Sequence, residues 1–461
     1  MNRADIEAPA LDALRDRVKG PVFRPADEGY DEERSGYQTA DRHRPDVVVG
    51  AVDAEDVRVA VEFAGEHGLP VAVQATGHGL PLAADGGLLV STRRMTEVQV
   101  DPDRATAWLA AGVRWAQVVQ ETAKHELAPL SGSAPHVGAV SYTLGGGIGL
   151  LARKYGYAVD RVRAIEVVTA DARLRLVTPD SDPDLFWALC GGRANFGVVT
   201  RLEIGLVPVT RLYGGGMYFD AEHIPALLET YRQWVTTVPD ELTSSVAMVP
   251  MPDVPALPEP LRGRHIAHVR IAYLGDAAEG ERLVAPLREV GPRLIDAIGE
   301  LPYTESGTIH NEPDRPAPYH STHALLRELD PATIRSVLEL AGPGAPDACV
   351  LEIRHLGGAL AEPPAVPNSV GHREATFVLA MLSILDDAGA DPVLPAHRRF
   401  ADLVAPWSVG TSVNFLYGRN AADEEVRTAY RPADLRRLTE LKARYDPANL
   451  FRLNHNIPPA G

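Results

Sequence analysis

Residues 131–156, SGSAPHVGAVSYTLGGGIGLLARKYG, constrain this chain more than any other stretch. They hold Gly132, Gly138, Gly145, Gly146, Gly147, Gly149 and Gly156. A glycine cluster lets bare backbone adopt φ values that other residues avoid and pass close to a ligand. Upstream, residues 74–80 (QATGHGL) have the same character and set His78 between two glycines at the end of a predicted strand. The two loops are expected to meet at one flat or phosphorylated ligand.

With 461 residues the chain can bury a large core spread over two or three domains. Its 45 basic and 62 acidic residues give a net charge of -17, which disfavours nucleic acid and anionic membranes as partners. Only Cys190 and Cys349 occur, without metal-ligand or redox spacing, so a reducing, cytoplasmic location is expected. Residues 1–20 read as a charged amphipathic helix, and no run of 18 apolar residues follows, so neither secretory signal nor membrane span is predicted.

Residues 46–52 are a β-branched run, Asp53 stands at an N-cap, residues 54–67 carry apolar positions at helical spacing, and residues 70–73 form the next strand. This predicts a β-α-β unit running straight into QATGHGL. Strands are expected at 87–91, 106–112, 163–170, 174–177 and 198–207, the third and fourth as a hairpin, with a helix over 115–126. Beyond Thr210 longer helices alternate with strands and proline-rich connectors such as 250–260, which predicts an α+β region on a mainly antiparallel sheet. The expected division is 1–208, 209–412 and a returning segment 413–461.

The GGGIG run does not make a dinucleotide fingerprint. A G-x-G-x-x-G match from Gly145 would need glycine where Leu150 stands, and no Walker lysine follows any glycine loop. The G-x-S-x-G elbow is absent, leaving Ser131 and Ser133 without support as nucleophiles. His265, His268, His320 and His323 lack acidic or cysteine companions at ligand spacing, so no metal is expected.

Together the loops resemble the berberine-bridge-enzyme-like FAD-linked oxidases of the vanillyl-alcohol-oxidase flavoprotein superfamily, over nearly the whole chain. QATGHGL resembles the loop whose histidine is bonded to the flavin, residues 131–156 the second FAD loop, LFWALCGGRANFGVVT the third, and YDPANLFRLNHNIPP the carboxy-terminal signature. The resemblance implies a two-part FAD-binding domain plus an antiparallel-sheet substrate domain covered by helices. It implies FAD bonded to His78 and held by Ala75, Thr76, Gly77, Gly79, Leu80, Ser133, Val137, Gly138, Ser141, Tyr142, Gly145, Gly146, Gly147, Gly149, Gly197, Val198, Asn454 and Asn456. Backbone donors of residues 75–79 would meet the pyrophosphate, and Gly145 to Gly147 would let backbone approach the cofactor.

The chain departs from its relatives at several places. Ala134 stands near the cysteine of bicovalent members, so a single covalent bond is expected. Ser412 replaces a tyrosine used as catalytic base in many relatives, Cys190 and Arg193 stand where arginine and glycine are usual, and Thr76 replaces a glycine. The catalytic candidates are therefore Tyr417, Glu352 and Asn414. The expected function is transfer of hydride from a small alcohol, sugar, amine or natural product to FAD, with O2 as acceptor giving H2O2, in secondary metabolism. A natural-product cyclase or isomerase without net oxidation, and a non-catalytic flavin-binding protein, are the rival expectations.

Overall fold

The computed structural model describes residues 6–346 and 348–461, and the strands in it form three sheets. Of the expected amino-terminal helix, residues 1–5 lie outside the described residues, and the helix runs over Ala8–Arg17.

The first sheet contains β1 (Val22–Phe23), β2 (Val47–Gly50), β3 (Val71–Gln74) and β4 (Leu88–Ser91) in the order β1-β2-β4-β3. β2, β4 and β3 run parallel, and their near-continuous apolar sequences suit strands covered on both faces. β2 reaches β3 through the helix Ala54–Glu66, whose first turn is capped by the Asp53 carboxylate accepting from the N–H groups of Glu55 and Asp56. The β-α-β unit forms, but its strands are not neighbours, because β4 inserts between them. QATGHGL leaves the carboxyl end of β3, the end at which parallel strands present ligand loops.

The second sheet, β5 (Val98–Asp101), β6 (Thr106–Ala110), β7 (Val162–Val168), β8 (Leu174–Val177) and β9 (Val198–Gly205), is antiparallel in the order β5-β6-β9-β7-β8. The expected hairpin is β7 and β8, pairing Ile165 with Val177. Between β6 and β7 the helix Trp115–Ala123 and the glycine segment pack Trp115, Val118, Leu144 and Ile148 into the core beneath this sheet.

The third sheet holds β10 (Arg211–Asp220), β11 (Leu242–Pro250), β12 (His265–Tyr273), β13 (Arg293–Asp296), β14 (Gly299–Pro302), β15 (Tyr319–Leu326), β16 (Val350–His355), β17 (Phe377–Ile384) and β18 (Ser408–Gly410). Its order is β13-β10-β12-β11-β16-β17-β15-β18, with β14 also on β10, and every pairing is antiparallel. Four helices, Ile224–Trp234, Ala277–Arg288, Pro331–Ala341 and Leu394–Val404, cover one face, where Leu227, Val284, Ile334 and Phe400 join a core with Val269, Ile271, Ile353, Leu379 and Met381. The period-two alternation of the strands sends His268, Arg270, Glu352, Arg354, Ala380 and Leu382 to the opposite face. Among the described residues no helix is long and apolar enough to cross a membrane.

The chain end returns to the second sheet. On the helix Pro432–Tyr445, the fully buried Lys442 ammonium donates to the Asn195 carbonyl and to the Asp446 carboxylate, each at 2.6 Å. Asp446 in turn accepts from the N–H groups of Leu450 and Phe451, while Asn195 accepts from the N–H of Ile457 and donates to the His455 carbonyl. The third glycine loop and the tail are thereby one hydrogen-bonded unit.

Candidate functional site

A cavity of about 1050 Å³ lies between the ligand loops of the first two sheets and the helix-free face of the third. Ala75, Thr76, Gly77, His78, Gly79, Leu80, Ser133, Val137, Ser141, Tyr142, Gly197, Val198 and Asn454 line it from one side, and Glu352, Asn414 and Tyr417 also reach it. Four segments far apart in sequence thus converge on one space large enough for a cofactor and a substrate together.

His78 projects into this space from its glycine-flanked loop. Its Nδ1 is 2.8 Å from the Thr76 hydroxyl, its carbonyl accepts from the Tyr319 hydroxyl at 2.5 Å, and its Nε2 is buried without a partner. The ring stacks on Tyr37 at 4.0 Å and 14°, with His136 4.9 Å away. Burial above all, helped by His136 and Arg114, brings its pKa down to about 3, so the imidazole is neutral at pH 7.

The backbone of this loop is a row of free donors. The carbonyls of Thr76 and Gly77 accept from the N–H groups of Tyr37 and Gln38, whereas the N–H groups of residues 76–80 find no acceptor among the described residues. The Tyr142 hydroxyl is buried and unpartnered, as is the Asn454 Oδ1 acceptor. Donors left open in this way call for an acceptor-rich guest, and a pyrophosphate supplies one.

The main glycine segment behaves differently from expectation. Leu144 and Ile148 line the cavity, whereas Gly138, Gly145, Gly146, Gly147, Gly149 and also Asn456 do not. A Cβ on Gly145 would lie 2.0 Å from Asn414 Oδ1, one on Gly147 2.5 Å from the Tyr142 ring, and one on Gly149 2.1 Å from the Ser131 carbonyl. Gly146 has φ +109 and faces Tyr157 and Val370, and Gly138 abuts Thr76 and Ala75. These glycines allow protein to approach protein, which corrects the view that Gly145 to Gly147 bring backbone to a cofactor. Asn456 keeps an unpartnered Oδ1 off the cavity wall.

The catalytic candidates also separate by geometry. Glu352 accepts from Arg270 at 2.6 Å and Ser245 at 3.1 Å through one oxygen, and from Arg354 at 2.8 Å through the other. Burial pushes its carboxyl up, but Arg354 and Arg270 outweigh this and bring it to about 2. A carboxylate so held is a positioning group for two arginines and a poor base at neutral pH, which corrects its assignment. Asn414 donates from Nδ2 to the Tyr142 carbonyl at 2.8 Å, tying its segment to the glycine segment. Tyr417 packs edge-on to Tyr319 at 5.8 Å, and burial raises its phenol, so it is a proton donor at neutral pH. Ser412, in the place of the missing tyrosine, lines the cavity and donates its N–H to His323 Nε2.

Sequence reasoning missed the most highly charged corner of the site. Glu312 accepts from the Ser133 hydroxyl at 2.6 Å and lies 3.5 Å from His310 Nδ1. Burial opposes its ionisation, yet His310 and Arg354 hold it well below the usual carboxylate range. His268, stacked on Tyr218 at 4.0 Å, accepts from Arg270 through Nδ1 and is kept neutral mainly by burial. The available signal was the alternation of polar residues in HIAHVRIAY and VLEIRH, which places Arg270, Glu352 and Arg354 on one face of the two strands that flank β11.

Comparison with known proteins agrees with this geometry. Residues 45–178 match the model of the FAD binding domain, and residues 414–458 match that of the "Berberine and berberine like" family. The chain is 29% identical to (R)-6-hydroxynicotine oxidase of Paenarthrobacter nicotinovorans, over 96% of this chain and 98% of that protein. The crystal structure of 6-hydroxy-D-nicotine oxidase from Arthrobacter nicotinovorans superposes with a TM-score of 0.82 at 26% identity, covering 96% of this chain and 98% of that one. Xylooligosaccharide oxidase from Myceliophthora thermophila superposes at 0.85 with 20% identity, covering 98% of this chain and 100% of that one, a likeness of fold alone. Four loops converging on one cavity, two family models in the expected order and end-to-end likeness to oxidases together make the chain an FAD-dependent oxidoreductase similar to the berberine-bridge-enzyme-like FAD-linked oxidases.

Proposed function

We propose that the protein is an oxidase that takes hydride from a small organic substrate bound over FAD, with the cofactor bonded to His78 and O2 as final acceptor. The observation carrying this reading is the neutral His78 imidazole, whose Nε2 is buried and unpartnered at the end of a row of free N–H groups. FAD, when bound, supplies the hydride acceptor and the route by which O2 yields H2O2.

The chain's own residues supply position, polarity and dryness. The free N–H groups of residues 76–80, with Thr76, Ser133, Ser141 and Asn454 around them, would hold the pyrophosphate and ribityl part. Val137, Leu144, Ile148, Val198 and Val199 provide apolar wall for a ring system. Thr76 fixes the His78 ring from Nδ1, and Tyr37 flanks it by stacking. Gly197, at φ +158, keeps β9 tight against Val168, where a Cβ would lie 2.5 Å from the carbonyl.

Tyr417 is proposed as the group that meets the reacting part of the substrate, donating a hydrogen bond and keeping its proton. The carboxylates and histidines on the wall have depressed pKa values and the tyrosines raised ones. A donor that needs no strong base, such as a neutral amine, suits this wall better than an alcohol. A cytoplasmic place agrees with two buried free thiols, Cys190 and Cys349. Anaerobic mixing with amines, alcohols and sugars tests the reading: loss of flavin colour with one of them, restored by air with stoichiometric H2O2, is expected. Permanent retention of the oxidised colour with all of them would contradict it.

A further inference from the structure

We propose that the cavity selects an apolar small molecule carrying an amide-like edge, a carbonyl beside an N–H or O–H, with the carbonyl on Arg354 and the donor on Glu312. This rests on the oxidase reading above and names a substrate class for the same site.

Arg354 and Glu312 come from segments far apart in sequence and meet in one charged corner, where His310 lies within 4 Å of both Glu312 and Glu352. Arg354 stands on β16, where its Nε is committed to Glu352 at 2.8 Å, and Nη1 and Nη2 have no hydrogen-bond acceptor among the described residues. Its guanidinium carbon lies 5.6 Å from the centre of the Phe415 ring, which backs it from one side. Glu312 spends one oxygen on the Ser133 hydroxyl, and its other oxygen takes no hydrogen bond among the described residues. Both side chains line the cavity, and no ion pair within 4.0 Å joins them, so a polar group can enter between. Arg270 and Ser245 brace Glu352, and Glu352 braces Arg354, so the donor is preorganised before any ligand arrives.

The two groups impose an order. A guanidinium only donates and an ionised carboxylate only accepts, so the ligand must offer an acceptor to one and a donor to the other. An ester or ketone leaves Glu312 unanswered, and an amine alone leaves Arg354 unanswered. Each unmatched buried group costs more than a matched one gains, which makes the pair a discriminator.

The outer wall fixes the rest of the molecule. The side chains that line the cavity from residues 249–261 are all apolar, and Ile295, Leu382 and Ile384 continue the surface. Val254 and Ile384 remain 40% and 63% exposed at this mouth, so apolar surface there is left for a guest to cover. Arg262 pins the loop by donating to the carbonyls of Leu257 at 2.7 Å and Pro255 at 3.0 Å, which makes it a formed wall. A carbohydrate needs a polar partner for each ring hydroxyl, and this wall offers no side chain of that kind.

Calorimetry on the flavin-loaded protein tests the proposal without turnover, using para-tert-butylbenzamide, its methyl ester analogue and cellobiose as probes. The amide should bind at least about tenfold tighter than the ester, which presents the acceptor only, and cellobiose should give no heat. Glu312→Ala should abolish the preference for amide over ester, while Arg354→Met should weaken both. Should Arg354→Met fail to fold, the Glu312→Ala comparison still decides. Equal binding of amide and ester to the wild type, no binding of the amide, tighter binding of cellobiose, or an undiminished amide preference in Glu312→Ala would each overturn it. A protein that bleaches with some substrate but shows no amide preference refutes this inference alone. A protein that never takes up flavin refutes the oxidase reading beneath it.

Discussion

His78 Nδ1 and the Thr76 hydroxyl are 2.8 Å apart, and this contact leaves Nε2 as the ring nitrogen without a protein partner. Thr76 also accepts from the N–H of Gly138 at 3.2 Å, so one side chain ties the first cofactor loop to the second. Thr76→Val keeps the shape and removes both contacts, at about 1 kcal/mol each. The expected outcome is a normally folded protein that incorporates flavin covalently several-fold more slowly. The fraction of flavin remaining on acid-precipitated protein against time measures it.

Glu352 is the keystone of a buried charge group, and neutralising it leaves Arg270 and Arg354 unpaired. Glu352→Gln is expected to destabilise the protein by about 3–5 kcal/mol, read from denaturant unfolding. The pH dependence has a defined sign. Because the folded pKa is depressed from 4.5 to about 2, the stabilisation is fully present above the unfolded value and is lost as pH falls between those limits. Unfolding curves of the variant should therefore converge on those of the wild type through that acid range.

The Lys442 and Asp446 pair is a second buried ion pair, holding the tail against the third glycine loop. Lys442→Met removes the cation and strands the Asp446 carboxylate in a site with no solvent access. A loss of about 3–5 kcal/mol is expected, with weakened flavin retention because Asn454 and Gly197 are positioned through this unit. Thermal unfolding monitored together with flavin fluorescence checks both.

Tyr417→Phe separates proton donation from packing, since the ring and its edge contact with Tyr319 are kept. In this variant kcat should fall about tenfold or more while flavin content and folding are unchanged. Because burial raises the phenol, the wild-type rate should show no ionisation of this group through neutral pH, and a break there assigned to Tyr417 by the variant would contradict its role. Rapid-reaction measurement of flavin reduction against pH provides the test.

Local sequence carried much of the fold and the placement of the cofactor loops, for reasons that are physical. β2, β3 and β4 are short β-branched runs bounded by turn residues, and Asp53 caps its helix as a carboxylate should. Insertion of β4 between β2 and β3 was invisible, because neighbour order depends on contacts between segments that no local pattern encodes. β10 was missed since its Gly214, Gly215 and Gly216 argue against a strand, yet a Cβ on Gly214 would sit 2.4 Å from the Ile271 carbonyl, so close packing explains the glycine. The glycines at 145–149 were legible as conformational necessities but not as to which surface they admit. Glu312 escaped notice because it belongs to an irregular loop, and only the folded chain brings it to Ser133 and Arg354.

Arg193 shows the same limit from another direction. It has φ 54 and ψ -136, a conformation that suits glycine and strains a side-chain-bearing residue. The sequence revealed the departure from relatives at this position, while the strain required the backbone.

Whether one imidazole tethers the flavin is read from where the yellow colour goes when purified protein is denatured and precipitated with acid. The flavin should stay with the wild-type polypeptide and be released to the supernatant from His78→Ala. Colour released from the wild type, or retained by His78→Ala, would contradict it.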